Sequence, residues 1–239
     1  MDNLIVGIHQ PNFMPWLGYF YKIMQSDIFI FLDDVQFQKT GASYTNRVSL
    51  NINSESKYFT VPIKRPSGLW TINNTCFINK KWKKKLIGTL QANYAKTDFF
   101  LENREFIFNL INKEAEDIAT YNINFISAVS KRLGINTILK KSSEFNLKSV
   151  STERLVELIL AVEGTVYLSG SGGDNYQEHE MYKNANIELI YNNMPKYEYT
   201  QLHTPNFIAG LSIIDAIFNQ GFEKLKVELF NMSTLKKDY

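Results

Sequence analysis

Residues 5–37, IVGIHQPNFMPWLGYFYKIMQSDIFIFLDDVQF, contain the pattern that decides the fold. The apolar run that opens this stretch predicts a β-strand, and the apolar run from Ile28 to Leu32 predicts a second one. Between them, Trp16 to Gln25 is amphipathic and predicts a helix. Pro11 and Pro15 keep the preceding loop out of helix, because proline lacks the amide donor and biases its predecessor away from the α region. The stretch is therefore a strand–loop–helix–strand unit.

This unit places two pairs of polar residues at one edge of a sheet. A right-handed crossover lays the two strands parallel, so that both carboxyl ends meet at the same edge. His9 and Gln10 follow the first strand, and Asp33 and Asp34 follow the second. Because open α/β sheets bind ligands at this edge, we predict that the functional site lies there.

Composition is that of an ordinary globular protein. The 239 residues are 44% hydrophobic, and the formal net charge is only +2, so nucleic acid is not an expected partner. No apolar run approaches the roughly 18 residues of a membrane span, and the first residues lack the pattern of a secretion signal. The sequence therefore predicts a cytoplasmic protein with no membrane span. The single cysteine, Cys76, is expected to be a packed thiol, and the oligomeric state is left open.

The middle of the chain is predicted to depart from the α/β pattern. A β-rich subregion at about 38–78 contains three predicted strands of an antiparallel excursion: Tyr44 to Leu50, Lys57 to Lys64 and Trp70 to Ile78. A mainly helical subregion at about 79–134 contains three predicted helices: Asn79 to Lys96, Phe99 to Lys113 and Asn122 to Leu133.

The C-terminal third returns to alternating strands and helices. The predicted strands are Thr137 to Leu139, Thr165 to Leu168 and Ile187 to Tyr191. The predicted helices begin at Thr152, Ser212 and Glu223. Such alternation predicts an α/β fold with a mostly parallel, Rossmann-like sheet flanked by helices. Since no linker or repeat divides the chain, we expect one domain over residues 1–239.

The polar residues at the predicted edge have both functional and structural interpretations. A neutral imidazole at His9, beside Gln10, could hold a phosphate, polarise a carbonyl or move a proton near pH 7; alternatively, it caps a turn. Asp33 and Asp34 could bind a metal, orient sugar hydroxyls or act as a general base, or they could simply end a strand. No spacing of His, Asp and Glu amounts to a metal signature, so no metal site is predicted.

Three further clusters have the chemistry of binding sites. Tyr44, Asn46 and Arg47 could recognise a phosphate or carboxylate, or could be an exposed strand arginine beside a packed tyrosine. The turn that contains Ser169, Gly170, Ser171 and Gly172 could cradle an anion with backbone amides, or be a tight connection. The third cluster could line a sugar site or pack over the sheet: Tyr197, Tyr199, Gln201 and His203.

Five segments resemble the WbqC-like family of bacterial proteins: IHQPNFMPWLGYFYKI, DIFIFLDDVQF, YTNR, VYLSGSGGDNY and LSIIDAIFNQG. The resemblance covers essentially the whole chain. Members are commonly encoded in clusters that build O-antigen and other surface polysaccharides, which implies work on sugars or nucleotide-linked sugars in the cytoplasm. By this resemblance, the residues of this chain that match the family's motifs are His9, Gln10, Pro11, Trp16, Gly18, Tyr19, Lys22, Asp33, Asp34, Gln36, Asn46, Arg47, Ser169, Gly170, Tyr176, Ser212, Asp215 and Asn219. Tyr44 departs from the tryptophan of many relatives.

A looser likeness concerns nucleotidylyltransferases of the adenylyltransferase superfamily. They also open with a strand, a histidine-bearing loop and a helix. They carry a second histidine near the helix start, where this chain has Pro15-Trp16-Leu17-Gly18. Fold-level likeness does not by itself transfer chemistry.

These observations lead to three functional hypotheses. The first is an enzyme of surface-polysaccharide biosynthesis that modifies a nucleotide-linked amino sugar by acyl or aminoacyl transfer. Its donor would be an acyl-coenzyme A or an ATP-activated acyl group, and no other cofactor is predicted. His9 would take a proton or polarise the donor carbonyl, Asp33 or Asp34 would orient it or the sugar, and Arg47 would hold an anion. The alternatives are ATP-dependent nucleotidyl transfer and non-catalytic binding of a sugar or nucleotide.

Overall fold

The computed structural model describes residues 3–38, 44–65, 67–170 and 178–233. The strands are β1 (Ile5–His9), β2 (Ile28–Phe31), β3 (Arg47–Ile52), β4 (Glu55–Thr60), β5 (Ile63–Lys64), β6 (Cys76–Phe77), β7 (Ile138–Lys141), β8 (Val166–Gly170) and β9 (Glu188–Asn192). The α-helices are α1 (Leu17–Met24), α2 (Lys81–Tyr94), α3 (Phe100–Asn112), α4 (Ile118–Arg132), α5 (Ser151–Leu160), α6 (His179–Asn184), α7 (Ile213–Gln220) and α8 (Phe222–Met232).

A five-stranded parallel sheet confirms the predicted α/β class. Its order is β7-β2-β1-β8-β9, and every neighbouring pair is parallel. His9 pairs with Phe31 across β1 and β2, as the strand–loop–helix–strand unit requires. On the other side of β1, Gly7 pairs with Leu168 of β8. The strand order therefore reverses between β1 and β8, and ligands of such sheets bind at the carboxyl ends beside this switch point.

Side chains alternate between two packed faces of the sheet, as strand geometry requires. In β2, Phe29 and Phe31 pack into the larger core cluster, which includes residues of α1, α2, α3, α4, α7 and α8. Ile28 and Ile30 belong to a second cluster that includes Leu158 of α5. Both faces are thus covered by helices, which explains why this strand is apolar at every position.

The residues that follow helix α1 lie close to β1. A Cβ atom added to Gly7 would collide with the Ser26 side chain, so only glycine permits this approach. The Ser26 hydroxyl in turn donates to the carbonyl of Lys22, 2.9 Å away. The close packing fixes α1 relative to the end of β1, where His9 lies.

The predicted antiparallel excursion consists of two small sheets, β3–β4 and β5–β6. The β3–β4 hairpin turns at Asn53 and Ser54, whose φ angles are 53° and 63°, as a two-residue turn of this kind requires. The predicted strand at 70–78 is wrong for most of its length, because Ile72–Asn74 forms a 3₁₀ turn. The Asn74 side chain accepts a hydrogen bond from the Thr71 amide and competes with strand pairing.

Other differences from the sequence predictions also have local causes. Helix α4 begins before the predicted start because the Asp117 carboxylate caps it, accepting from the Thr120 amide at 2.8 Å. Helix α6 has only six residues and no apolar stripe, and was not predicted. Cys76 is exposed rather than packed. In the described parts of the chain, no helix combines the length and apolar character needed to cross a membrane.

Candidate functional site

His9 ends β1 beside the switch point and is half-buried. Its Nδ1 lies 3.0 Å from the Gln10 carbonyl oxygen. Because a carbonyl only accepts, Nδ1 carries the proton and Nε2 presents a lone pair. The Tyr19 ring meets the imidazole edge to face at 5.0 Å, and its hydroxyl donates to the same Gln10 carbonyl at 2.8 Å. Together these contacts fix both the tautomer and the orientation of the ring.

A buried cation lies beside this imidazole. Lys22 of α1 is only 3% exposed, and its ammonium group donates to the Ile8 carbonyl at 2.7 Å. It forms no ion pair among the described residues. Burial lowers the pKa of Lys22 to about 7. Burial, and to a smaller extent the positive charge of Lys22, lowers the pKa of His9 to about 4. His9 is therefore neutral at pH 7.

An aromatic and cationic cluster adjoins the imidazole. The Trp16 ring lies 6.3 Å from the His9 ring and 5.7 Å from the Tyr44 ring. The Arg47 guanidinium lies 4.6 Å from the centre of the Tyr58 ring and 5.9 Å from that of Tyr44. Trp16 thus joins His9 and its loop to the cluster around Tyr44 and Arg47, which follows later in the sequence. This surface combines aromatic faces with a guanidinium, which suits a base or sugar linked to an anion.

Two other predicted binding residues occupy structural positions in this region. The Asn46 amide donates to the Val61 carbonyl at 3.0 Å, and the Val61 amide donates back to the Asn46 carbonyl at 2.8 Å. These bonds extend the β3–β4 hairpin. Gln36 is exposed, and its backbone forms an isolated bridge with Thr71.

The two predicted carboxylates bind protein groups at the end of the neighbouring strand. Asp33 accepts from the amide and hydroxyl of Ser143, at 3.0 and 2.7 Å. Asp34 forms an ion pair with Arg154 at 2.5 Å, and Ser142 donates to both carboxylates. These contacts join the end of β2 to the turn after β7 and to α5. No group of three or more His, Cys, Asp or Glu within the described ranges could hold a metal ion.

The carboxyl end of β8 forms the other side of the switch point. Ser169 is buried, while a Cβ atom on Gly170 would meet no described residue within 4 Å. Asn192 pairs with Gly170 at the end of β9, and its amide lies 3.5 Å from the Gly18 carbonyl. Three further predicted residues lie outside the described part of the chain: Ser171, Gly172 and Tyr176.

A buried asparagine that the sequence analysis did not identify holds the site together. The Asn122 amide of α4 donates to two carbonyls, those of Pro11 and Thr45, each at 2.8 Å. It thereby joins the loop after β1 to the segment before β3. The available signal was a polar residue at helical spacing from the apolar Ile118 and Phe125. Starting the predicted helix at Asn122 concealed that signal.

The motif near the C-terminus anchors the segment 193–211. Ser212 donates to the Met14 carbonyl at 2.8 Å. The buried Asp215 accepts from the Tyr199 hydroxyl at 2.7 Å and from the Gln201 amide at 3.0 Å. Burial raises the pKa of the Asp215 carboxyl, although these hydrogen bonds act in the opposite direction. The motif therefore has a structural role next to Trp16, whose backbone forms a bridge with Ser212.

Comparisons with known proteins show which sequences this chain is similar to. The sequence profile of the WbqC-like protein family matches residues 10–227. The chain is similar to the uncharacterized protein Rv1507c of Mycobacterium tuberculosis (strain ATCC 25618 / H37Rv), with 28% identity over 221 residues, 91% of this chain and 94% of that protein. No solved structure matches the chain.

Proposed function

The chain belongs to the WbqC-like protein family, and we propose that it is a transferase of surface-polysaccharide (O-antigen) biosynthesis. In this proposal it transfers an acyl or aminoacyl group to the amine of a nucleotide-linked amino sugar. The family resemblance supports the pathway. The observation that carries the chemistry is the neutral His9 imidazole, held in one tautomer at the switch point of the sheet.

The imidazole would act as a general base. As the sugar nitrogen attacks the donor carbonyl carbon, Nε2 of His9 would accept the proton that the nitrogen loses. The new C–N bond forms, the bond from the carbonyl carbon to the leaving group breaks, and the proton passes from His9 to that leaving group. The hydrogen bond from Nδ1 to the Gln10 carbonyl supports this assignment, because it keeps the Nε2 lone pair available.

The cations would recognise the phosphates of the substrate. We assign Arg47 to the phosphates, with Trp16 and Tyr44 stacking on the base or sugar. Lys22, whose pKa is about 7, would supply a second positive charge when a bound anion favours its protonated form. An anion bound beside Lys22 would offset that charge, raise the pKa of His9 and so make it a stronger base. Gly170 has no side chain and would let an anion approach the backbone at the end of β8.

Asp33 and Asp34 would support the site instead of reacting. The described hydrogen bonds to their carboxylates all come from serines and from Arg154. We therefore propose that they hold the end of β2 in place beside His9.

The test compares two histidine variants. Purified protein would be incubated with UDP- and dTDP-linked amino sugars and acyl-coenzyme A donors, and products measured by mass spectrometry. His9→Asn should lower kcat by about 10²- to 10⁴-fold, the usual contribution of a general base, without changing the thermal unfolding midpoint. The control is His203→Asn, because His203 is exposed and has a φ of 58° that asparagine tolerates. Full activity of His9→Asn, or loss of activity together with loss of folding, would overturn the assignment.

A second candidate function is ATP-dependent adenylyl transfer. The parallel order that reverses beside a histidine-bearing loop favours it. However, helix α1 begins with Leu17 and Gly18, where that superfamily has its second histidine. This function requires pyrophosphate release from ATP with magnesium, and a donor and acceptor panel that yields none argues against it. Ligand binding that survives His9→Asn, with no turnover of any mixture, would indicate a non-catalytic protein.

A further inference from the structure

A pocket that the proposed reaction does not use lies between the segment 193–211 and helices α7 and α8. Its volume is about 560 Å³, within the range of roughly 300–1,000 Å³ that is typical of small-molecule sites. Its lining includes the aromatic rings of Tyr197, Tyr199 and Phe207, together with the amides of Gln201 and Gln220.

Hydrogen bonds to side chains of α7 fix the wall of this pocket. The buried Asp215 carboxylate fixes the Tyr199 hydroxyl and the Gln201 amide. One turn later, Asn219 accepts from the Leu202 amide at 3.1 Å. Because these bonds lie within the protein, binding would require little ordering of the wall.

The charges at the rim are balanced. Lys224 and Glu228 lie one helical turn apart on α8. Glu198 is paired with Lys196 at 2.9 Å. The rim thus has no excess charge that would select an anion or a cation, and it favours a neutral polar ligand.

Two polar groups in the lining lack hydrogen-bond partners among the described residues. Gln220 is 7% exposed; its Nε2 donates to the Asn219 carbonyl at 3.1 Å, but its Oε1 has no donor. The buried Tyr197 hydroxyl also has no hydrogen-bond partner among the described residues. Buried polar groups are nearly always satisfied, so each of these two groups has capacity for one further hydrogen bond, which a ligand group that donates and accepts would supply. A hydroxyl group does both.

We propose that this pocket is a binding site for a neutral saccharide, distinct from the His9 site. The apolar C–H faces of a sugar ring would pack on the aromatic rings, of which Tyr199 and Phe207 meet edge to face at 5.1 Å. Its hydroxyls would satisfy Gln220 and Tyr197. Binding there does not depend on the proposed reaction.

The position of the pocket relates it to the His9 site. A neighbouring cavity of about 210 Å³ shares Tyr197, Tyr199 and Phe207 with it and extends to Trp16. Trp16 also contacts the His9 ring. A saccharide in the pocket would thus lie next to the surface on which we place the substrate of the proposed reaction.

The test is saturation-transfer NMR with defined probes. The neutral probes are N-acetylglucosamine, its β-1,4-linked disaccharide, rhamnose and maltose, and the charged comparison is glucose 6-phosphate. Wild-type protein should bind at least one neutral probe. The double variant Tyr197→Phe/Gln220→Met should bind it about five- to tenfold more weakly, as expected for the loss of two hydrogen bonds. Binding by His9→Asn should be unchanged.

A matched pair of changes elsewhere controls for the chemistry of the substitutions. Tyr182→Phe/Gln91→Met makes the same changes at positions that line neither this pocket nor the neighbouring cavity, and it should leave saccharide binding unchanged. Thermal unfolding of each variant establishes that it is folded. The proposal is overturned if no neutral probe binds wild-type protein, or if glucose 6-phosphate alone binds. It is also overturned if binding is lost in His9→Asn and retained in Tyr197→Phe/Gln220→Met. Failure of the transfer assay would leave these binding results unaffected.

Discussion

At the residue scale, the chemistry of His9 depends on neighbours that the fold supplies. The loop after an apolar strand identified His9 as a candidate from sequence alone, and the helical pattern placed Lys22 on the following helix. What the sequence could not predict is that Lys22 turns back to the end of β1 and lies buried there. Likewise, the partners of Asp33 and Asp34 lie beyond residue 140, so local patterns could not show that these carboxylates are already engaged.

The charge of Lys22 should be visible in the titration of His9. Removing a positive charge favours the protonated imidazole, so Lys22→Met should raise the pKa of His9 from about 4 toward, but not up to, its ordinary value, because burial still lowers it. NMR titration of the histidine ring protons would measure this, with His203 as an internal control. An unchanged His9 pKa in a folded variant would show that Lys22 does not act on it.

The lowered pKa of His9 also predicts a pH dependence of stability. The unfolded chain binds a proton at this histidine below about pH 6.5, whereas the folded protein binds it only near pH 4. The stability linked to His9 is therefore fully present above about pH 6.5 and is lost as the pH falls through this window, by at most about 3 kcal/mol. Urea unfolding between these pH values should show a smaller loss in His9→Asn than in His203→Asn. Equal losses would contradict the pKa shift.

At the element scale, helix α4 connects the two halves of the site. The sequence predicted β1, α1 and β2 well because their periodicities are local. It could not predict that Asn122 of α4 satisfies carbonyls of two separate loops, since those contacts span 111 and 77 residues. The helix thereby brings the Tyr44 and Arg47 cluster to the loop after His9.

Removing the Asn122 amide should be costly. Asn122→Leu would leave the Pro11 and Thr45 carbonyls without their donor in a buried place, and we expect a loss of about 2–4 kcal/mol in the free energy of unfolding. Asn103→Leu is the matched control, because the buried Asn103 amide donates to one carbonyl, that of Phe99. Urea unfolding measures both variants. A loss in Asn122→Leu no larger than in Asn103→Leu would contradict the bridging role.

At the scale of the whole molecule, the sheet order determines which distant segments meet. Alternating strands and helices predicted a parallel sheet, but not that β8 would lie beside β1. That neighbour relation rests on pairing between residues about 160 positions apart, which no local pattern encodes. The pairing places Gly170 beside the end of β1, and the contacts of Trp16 add Tyr44 and Arg47.

A nucleotide-linked sugar bound at the switch point should therefore protect several separate segments at once. At 100 times its dissociation constant, such a ligand stabilises the folded state by about 2.7 kcal/mol, which a thermal-shift screen of UDP- and dTDP-linked amino sugars detects. With the ligand so identified, hydrogen exchange should slow in peptides containing His9 to Tyr19, Tyr44 to Ser49 and the ends of β8 and β9. Peptides from α3 should change least, and Arg47→Ala should abolish the pattern. Protection confined to residues 197–228 would instead place the ligand in the pocket between the segment 193–211 and helices α7 and α8. Protection at only one of the four segments would contradict a site at the switch point.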